Sequence, residues 1–372
     1  MNHIVRVYKC DLYEISKLKN IIKENFKNIG IKDKRVLLKP NILQAHNPGQ
    51  NVTTNPVLLQ AAAEVFIEKG ARCKIGDSPS GWGIENARNA AEETGVMNVC
   101  RNLSIDFDFF DGQDVKMKKV ENGKIYKRFY LPKSYFTYDV VVNVPKLKTH
   151  SLTGFTLGVK NMMGIIPGLG KADMHRKAPH PKRFAQAIAD LYSLVVPDFT
   201  ILDGIEAMDG DGPVNGGIKK LNRIFISKNT NALDSVVERM CGINPKKVIL
   251  TREIWKRGLG NIENVKVKKD YSESDEGFKN FKVPIISKIG SKIPEWVVNM
   301  FSGSLLHFPK VNMHLCSECG MCAKICPVNA IELKTGEPFI NKNNCIKCFC
   351  CAERCPEKAI YEDKRFLAKI FS

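Results

Sequence analysis

One stretch of this chain occurs twice and decides the fold around it: residues 316–331 read CSECGMCAKICPVNAI, and residues 345–360 read CIKCFCCAERCPEKAI. The second copy begins 29 positions after the first, and both contain the run Cys-x2-Cys-x2-Cys-x3-Cys-Pro. Eight of the 13 cysteines in the chain occupy these motif positions. Such tight, repeated spacing is typical of metal ligands rather than of disulfides.

The spacing indicates iron-sulfur clusters. Three thiolates two residues apart on a tight turn can reach three corners of one cubane, while the fourth points away towards a second cluster. The proline that follows prevents the turn from continuing. The motif therefore predicts two [4Fe-4S] clusters, one held by Cys316, Cys319, Cys322 and Cys355 and the other by Cys345, Cys348, Cys351 and Cys326.

Two zinc sites are the alternative, since four thiolates also suit zinc, but zinc motifs usually pair two Cys-x2-Cys units across a longer spacer. Cys350 would break the x2 spacing if it were a ligand, so it is interpreted as a packing or spare thiol. The other cysteines lie among apolar neighbours and are expected to be small buried hydrophobes. They are Cys10, Cys73, Cys100 and Cys241.

The chain of 372 residues is long enough for two or three folding units, and its 44% apolar and 26% charged residues are typical of a globular protein. We expect an α/β domain over 1–270, a connector over 271–310 and a ferredoxin domain over 311–372. No apolar run reaches the ~18 residues of a membrane-spanning helix, and residues 1–8 lack the pattern of a secretory signal. The sequence therefore predicts a cytoplasmic protein without a membrane span.

The net charge of +18 is concentrated in the first 310 residues. From residue 311 onward there are 9 basic and 7 acidic residues, which leaves 48 basic and 32 acidic residues before that point. An excess of this kind fits nucleic acid, a membrane surface or an acidic partner, so the placement of the charges matters more than their sum.

The first 270 residues alternate short β-branched runs with longer segments of helical period. This alternation predicts a doubly wound, mostly parallel α/β sheet, followed by a small C-terminal α+β ferredoxin-like domain with two clusters. The predicted strands are 4–8, 35–39, 72–76, 105–110, 138–144, 199–202 and 223–227. The predicted helices are 14–29, 56–69, 84–102, 181–195 and 232–241, with a hairpin turn at 121–124 and a long loop over 146–183.

Polar residues follow four of these strands. In doubly wound sheets, ligands bind at the carboxyl ends of the strands, so these residues should face one crevice. The four segments are Lys39 to Asn41, Gly76 to Gly81 with Asp77 and Ser78, Asn143 to His150 with Lys146 and Lys148, and Asp203 to Gly204.

The segment 146–183 is rich in glycine and in cations, among them Lys160 beside Asn161, and it contains His175. Backbone N–H groups and ammonium groups of such a segment can both point at a phosphate or a carboxylate. A solvated basic lid is the alternative interpretation.

Other motifs are weak. The acidic stretch 203–211 could hold Mg²⁺ or form a simple turn, and it fails the EF-hand pattern because Pro213 and Lys220 replace required ligands. The chain lacks a complete dinucleotide fingerprint or P-loop, so nicotinamide or ATP binding is not predicted. A connector helix over 294–306 is expected to pack between domains, with membrane or partner docking as the alternative.

Four segments together resemble a known family: GDSPSG (76–81), NVPKLKTHSLTGFTLGVKNMMG (143–164), LDGIEAMDGDGP (202–213) and the twin cysteine motif. The chain is similar to the uncharacterised iron-sulfur centre proteins, in which domain of unknown function 362 is fused to a bacterial-type 2[4Fe-4S] ferredoxin module. The resemblance covers nearly the whole chain. It implies cluster binding and electron transport by the eight cysteines, and it supplies no substrate.

The leading hypothesis is a ferredoxin-like protein that passes electrons through two clusters to or from an anionic substrate or cofactor at the N-terminal domain, which would make it an iron-sulfur oxidoreductase. The candidate catalytic residues are His150, His175, Asp77 and Asp203. The candidate anion and cofactor contacts are Lys39, Asn41, Ser78, Lys146, Lys148, Lys160 and Asn161, with His150 as a further anion contact.

A non-enzymatic electron carrier, whose N-terminal domain docks a redox partner protein, is the alternative function. A pocket lined by the residues named above would count against this alternative, and a flat surface would favour it. Nucleic-acid binding is not expected, because the basic groups lie in glycine-rich loops without the interleaved aromatic residues of single-strand binders.

Overall fold

A computed structural model describes residues 3–79, 83–150, 152–271, 278, 280–283 and 308–362. The strands are β1 His3–Lys9, β2 Arg35–Pro40, β3 Arg72–Asp77, β4 Phe107–Phe109, β5 Val115–Lys119, β6 Arg128–Pro132, β7 Val140–Val144, β8 Lys146–His150, β9 Gly154–Thr156, β10 Phe199–Asp209, β11 Gly217–Ser227, β12 Val265–Lys269, β13 Pro309–Val311, β14 Ile331–Lys334, β15 Glu337–Ile340 and β16 Ile360–Glu362.

The helices connect and cover these strands. They are α1 Ile15–Phe26, α2 Pro56–Glu68, α3 Gly83–Glu93, α4 Val96–Leu103, α5 Gly158–Asn161, α6 Gly170–Lys177, α7 Pro181–Tyr192, α8 Thr230–Met240, α9 Ile249–Lys256, α10 Met321–Ile325 and α11 Cys350–Glu353. Short 3-10 segments lie at Pro48–Gln50, Ser134–Thr137, Met162–Ile165 and Pro245–Lys247.

The N-terminal part is built on one ten-stranded sheet with the order β12-β1-β11-β10-β7-β2-β3-β4, to which β8 and β9 are added beside β10. Five consecutive strands, from β10 to β4, run parallel. All five residues of β7 are buried, as expected for a central parallel strand covered on both faces. The structure confirms the predicted α/β class and the mostly parallel sheet.

Two strands are longer than predicted, and they run antiparallel. β10 and β11 pair along most of their length, from Thr200 opposite Ser227 to Asp209 opposite Gly217. The first half of β11 has the sequence GIKKLN and is largely exposed, so it lacks the apolar pattern that identifies a strand. As a result, Asp203 lies inside β10 and not after it.

The segment 146–183 is not the long loop that was predicted. It contains β8, β9, α5 and α6, and every residue of β8 is buried, including Lys146 and Lys148. A buried strand is not predicted here, because β8 has lysines at alternate positions and such a pattern normally indicates a strand face that is exposed to solvent. The basic lid interpretation is therefore wrong for β8.

The predicted helix 84–102 is two helices. Gly95 adopts a left-handed conformation with φ of 74° between α3 and α4. A single helix cannot pass through this conformation, which glycine reaches without steric cost.

Helices cover both faces of the sheet, so the fold is doubly wound. On one face α1, α2 and α4 pack over β2, β3 and β7, with Phe26 in edge contact with both Phe66 and Phe199. On the other face α7, α9 and the segment Met162–Ile165 form a second core that includes Phe184. Residues just beyond the carboxyl ends of the strands are thereby held between two packed layers.

The C-terminal part repeats itself in conformation as well as in sequence. β13 pairs with β16, and β14 forms a hairpin with β15. Matched residues 29 positions apart share the left-handed backbone conformation. One such pair is Gly320 in the first copy and Phe349 in the second. The other matched pairs are Glu318 with Lys347 and Asn329 with Lys358.

The predicted connector helix over 294–306 lies outside the described residues. Within the described part of the chain, no helix has the length and apolar character needed to cross a bilayer. The predicted cytoplasmic location stays a prediction.

We expect Phe26→Ala to lower the free energy of unfolding by about 3–5 kcal/mol, because the ring is fully buried between two other aromatic rings. Urea unfolding followed by circular dichroism measures this change. The control is Leu12→Ala, at a side chain that is 65% exposed, which should change stability by less than about 0.5 kcal/mol. Equal effects of the two substitutions would contradict this account of the core.

Candidate functional site

The eight motif cysteines surround two small cavities in the C-terminal part. Cys316, Cys319, Cys322 and Cys355 line the first cavity, and Cys326, Cys345, Cys348 and Cys351 line the second. In each set the fourth cysteine comes from the other copy of the motif. The structure thus brings together the same two sets of four that the spacing groups, and four thiols around a cavity fit the ligand requirement of a [4Fe-4S] cluster.

Backbone N–H groups point at four of these sulfur atoms. Glu318 N and Lys347 N donate to Cys316 Sγ and Cys345 Sγ, both at 3.4 Å. The fourth cysteine of each motif accepts from the residue four positions later: Ala330 N lies 3.1 Å from Cys326 Sγ, and Ala359 N lies 3.2 Å from Cys355 Sγ. Such donors stabilise thiolate charge and tune cluster potentials.

A third cavity, of about 90 Å³, lies where the two parts of the chain meet. We call it the interdomain cavity. The ferredoxin-like part contributes Ile325, Cys350, Glu353 and Arg354 to its wall. From the α/β part, its polar wall residues are Lys39, Asn41, Asp77, Ser78, Lys148, Thr156, Lys160, Asn161, Lys171 and His175.

Cys350 borders this cavity and neither of the two cysteine cavities. It lies between Cys348 and Cys351, which both line the second cysteine cavity. The interdomain cavity and the second cysteine set are therefore separated by a single turn of chain.

Three asparagines join the strand ends that surround the cavity. Asn161 Nδ2 donates to Asn143 Oδ1 at 2.7 Å, and Asn41 Nδ2 donates to Asn161 Oδ1 at 2.9 Å. Asn143 Nδ2 in turn donates to the carbonyl of Gly158 at the start of α5. This network fixes α5 against β2 and β7, and with it the position of Lys160.

Lys39 and Asp77 form a fully buried ion pair with an Nζ to Oδ1 distance of 2.9 Å. The Asp77 carboxylate also accepts the backbone N–H groups of Ile42 and Ser78, at 3.0 and 2.9 Å. Gly164 packs against this pair, and a Cβ there would overlap both charged groups. The two residues lie in the cavity wall as predicted by their strand-end positions, but their charges are directed at each other.

Lys146 and Asp203 form a second buried pair, with an Nζ to Oδ2 distance of 3.0 Å. Tyr13 Oη completes it, because it donates to Asp203 Oδ1 at 2.8 Å and lies 2.8 Å from Lys146 Nζ. Neither residue lines the interdomain cavity. The structure therefore separates Lys146 and Asp203 from the other predicted contacts, and their pairing supports the sheet between β8 and β10.

Lys148, Lys160 and Lys171 approach the cavity without a carboxylate bonded to any of them among the described residues. Lys148 Nζ donates to the carbonyl of Val52, and Lys171 Nζ donates to the carbonyl and hydroxyl of Ser78. Burial, together with the neighbouring Lys160, lowers the pKa of Lys148 to about 7. Burial lowers the pKa of Lys171 to about 8, and it also lowers the pKa of Lys160.

The two predicted histidines are both buried and both near Glu353. His150 Nδ1 accepts the backbone N–H of Leu152 at 3.0 Å, so the ring proton is on Nε2, which lies 3.1 Å from Glu353 Oε1. This contact has the distance of an ion pair without the angles of a hydrogen bond. Burial lowers the pKa of His150 to about 4, so its ring is neutral at pH 7.

His175 stacks on Phe184 with ring centroids 4.2 Å apart, and its Nδ1 has no hydrogen-bond partner among the residues that the structure describes. Burial lowers its pKa to about 3. Burial also disfavours ionisation of Glu353, but the contact with His150 and the charge of Lys160 outweigh it and lower the pKa of that carboxyl to about 2.

The sequence interpretation missed Glu353 and Arg354, although the repeat contains a signal for them. The two copies share the cysteine spacing but differ at eight of their 16 positions, and at three of these Cys350, Glu353 and Arg354 replace Met321, Lys324 and Ile325. All three line the interdomain cavity.

The acidic stretch 203–211 does not converge on a point. Glu206 accepts from Asn51 Nδ2 at 2.8 Å, and Asp209 accepts from Lys282 N at 3.0 Å, while Asp203 is paired with Lys146. Over the described ranges, no group of three or more His, Cys, Asp or Glu side chains is arranged to hold a single metal ion. The structure therefore gives no support to the predicted Mg²⁺ site.

Lys148→Met should flatten the pH dependence of stability between pH 7 and 10. The pKa of Lys148 is about 7 in the folded chain and has its ordinary value of 10.5 in the unfolded chain. In that range the unfolded state binds more protons, so this lysine makes the free energy of unfolding rise with pH by up to about 1.4 kcal/mol per pH unit. Below pH 7 both states are protonated and its contribution is constant.

Urea unfolding at several pH values measures this slope. The exposed Lys116→Met is the matched control and should keep the slope of the parent protein. An unchanged slope in Lys148→Met would contradict the low pKa.

Comparisons with known proteins agree with this architecture. Residues 36–239 match the domain of unknown function DUF362, and residues 309–332 match the 4Fe-4S binding domain. The chain is 30% identical over 284 residues to the thylakoid-associated protein sll1697 of Synechocystis sp., which covers 76% of this chain and 86% of that protein.

Among solved structures, the lactate racemase apoprotein from Thermoanaerobacterium thermosaccharolyticum aligns with a TM-score of 0.37 and 14% identity. The alignment spans 56% of this chain and about half, 51%, of the racemase. From the match over 36–239 and the similarity to the Synechocystis protein, the chain is a member of the DUF362 family that carries a 4Fe-4S binding domain.

Proposed function

We propose that this protein transfers electrons through two [4Fe-4S] clusters to or from a small anionic molecule bound in the interdomain cavity. The observation that carries this proposal is the position of that cavity: its wall combines cationic side chains of the α/β part with Cys350, Glu353 and Arg354 beside the second cysteine set. A bound molecule would lie next to a redox centre and within a positive field.

Two cysteine sets support two clusters. Cys316, Cys319, Cys322 and Cys355 would hold one, and Cys326, Cys345, Cys348 and Cys351 the other. A bound [4Fe-4S] cluster supplies reversible one-electron transfer. The chain holds the sulfur atoms in place with the four N–H donors described above and with the β13–β16 and β14–β15 pairs.

The α/β part would bind and orient the anion. Lys160 and Arg354 supply cationic groups from the two sides of the cavity, and the asparagine network holds α5 in position. Apolar side chains in the wall, including Ile42, Met163 and Ile325, exclude water and strengthen these charge interactions.

Proton transfer would involve His175, whose Nδ1 is buried in the cavity wall and lacks a partner within the described ranges. His150 would act as a positioning residue through its contact with Glu353. Asp77 and Asp203 are each bonded to a lysine, so we propose that both stabilise the site and neither takes part in the chemistry.

The predicted alternative, a carrier whose N-terminal domain docks a redox partner, has less support. That alternative predicts a flat surface where the polar segments meet. Instead, a cavity lies there, and its wall includes Lys39, Asn41, Lys148 and Lys160. An external protein would still be needed to supply or remove electrons, and we propose such a redox partner as part of this function.

We expect Cys348→Ser to lose one of the two clusters, whereas Cys350→Ser should keep both, because Cys350 borders the interdomain cavity and neither cysteine cavity. Anaerobic iron and sulfide analysis should find about eight irons per chain in the parent protein and in Cys350→Ser, because each of the two cysteine sets would hold a cluster of four irons. Zinc in place of iron, or equal iron loss in both variants, would contradict the assignment.

An anionic substrate should accelerate reoxidation of the protein after reduction by dithionite. Stopped-flow absorbance measures the rate with a panel of small carboxylates and phosphate esters that carry a reducible group, such as a carbonyl or a carbon–carbon double bond, with Lys160→Gln as the test variant and Lys324→Gln as the control. Lys324 is exposed in α10, at the position of the first motif that matches Glu353 in the second. The proposal fails if no member of a broad panel accelerates reoxidation of the parent protein.

A further inference from the structure

We propose that the ligand of the interdomain cavity is a small dianion, a short dicarboxylate or a phosphate group, that is bound jointly by Lys160 of the α/β part and Arg354 of the ferredoxin-like part. This inference rests on the proposed function and deepens it, because it names the ligand class and couples ligand binding to the second cysteine set. It follows from the charge, the size and the composition of the cavity wall.

The charge balance of the wall indicates two negative charges. Its lysine, arginine and carboxylate side chains are Lys39, Lys148, Lys160, Lys171 and Arg354 against Asp77 and Glu353. Lys39 and Asp77 cancel as an ion pair, which leaves four cationic side chains and one carboxylate. Burial lowers the pKa of Lys148 to about 7, so this side chain carries only part of a charge near neutral pH. A positive excess of two to three charges remains.

Polar atoms without partners point to a ligand at the same place. Arg354 is 8% exposed and its Nε lacks a hydrogen-bond partner among the described residues. Lys160, which is half-buried, has no side-chain hydrogen bond or ion pair within the same ranges. Thr156 Oγ1 and His175 Nδ1 in the wall are also buried without partners. Buried polar groups are normally paired, so a set of them around one cavity indicates a molecule that completes the pairing.

The volume limits the size of this molecule. A cavity of about 90 Å³ has room for roughly six to nine water-sized positions, at ~10–15 Å³ each. A short dicarboxylate or a phosphate group fits this space, and the body of a dinucleotide does not. Arg and Lys are suited to these groups, because the guanidinium can bind an oxyanion with two parallel hydrogen bonds and the ammonium adds a point charge.

Binding should be linked to the redox state of the protein. Glu353 ends α11 two residues after Cys351 of the second cysteine set, Arg354 caps that helix, and Cys350 lies between two cysteines of the set. Reduction adds one electron next to the cavity, so a bound dianion is repelled more in the reduced protein than in the oxidised protein. By reciprocity, the dianion must lower the midpoint potential to the same extent.

Isothermal titration calorimetry of the anaerobic, oxidised protein with malonate, inorganic phosphate and acetate tests the ligand class. We expect malonate or phosphate to bind at least tenfold more tightly than acetate, and Lys160→Gln to weaken this binding about tenfold or more. The control Lys324→Gln should bind like the parent protein. Tighter binding of malonate or of phosphate decides between a dicarboxylate and a phosphate group.

Redox titration followed by electron paramagnetic resonance tests the linkage. We expect the dianion to bind about tenfold more weakly to the reduced protein than to the oxidised protein. At saturating dianion, this ratio of affinities corresponds to a fall of about 59 mV in midpoint potential. At a dianion concentration near the dissociation constant of the parent protein, the shift should be much smaller in Lys160→Gln, because less dianion is bound, and this substitution on the α/β side leaves the cysteine ligands untouched. Arg354→Gln is a second test variant for the same redox titration. Because Arg354 is next to Cys355, this variant is compared with the parent protein only if the two contain equal amounts of iron.

Absence of binding by both dianions, equal binding of acetate, or an unchanged affinity in Lys160→Gln would overturn the dianion site. Binding without any change in potential would overturn the linkage. If the dianion binds and shifts the potential but does not accelerate reoxidation, the dianion site stands and electron transfer to that molecule is refuted.

Discussion

The burial of lysine ammonium groups at one edge of the sheet is the constraint on which the rest of the structure depends. A charge removed from water costs several kcal/mol unless it is paired, so each such lysine requires a neighbour that compensates for it. Lys39 and Lys146 obtain carboxylates, Asp77 and Asp203, whereas Lys148 obtains only a carbonyl. The positive charge left over is directed at the interdomain cavity.

This imbalance explains how the two parts of the chain meet. The ferredoxin-like part brings one carboxylate, Glu353, against His150 and close to Lys160, and this partly neutralises the cavity wall. It also brings Arg354, which adds to the positive charge.

Much of the architecture could be predicted from the residues because the relevant signals are local. The α2 helix begins after Asn55, whose side chain caps it, and the four valines and Asn143 of β7 form a buried central strand. The prediction failed where burial depends on distant partners. β8 was assigned to a loop because its lysines suggest solvent, while their partners lie on β10 and near Val52.

The sequence by itself determined the cysteine grouping and the α/β class, because spacing and periodicity are properties of neighbouring residues. Only the tertiary structure decided which polar residues pair with each other and which face a cavity, because charge compensation acts between residues such as Lys146 and Asp203, which are far apart in the chain. The same distinction separates Lys146, which is neutralised within the sheet, from Lys160, which is not.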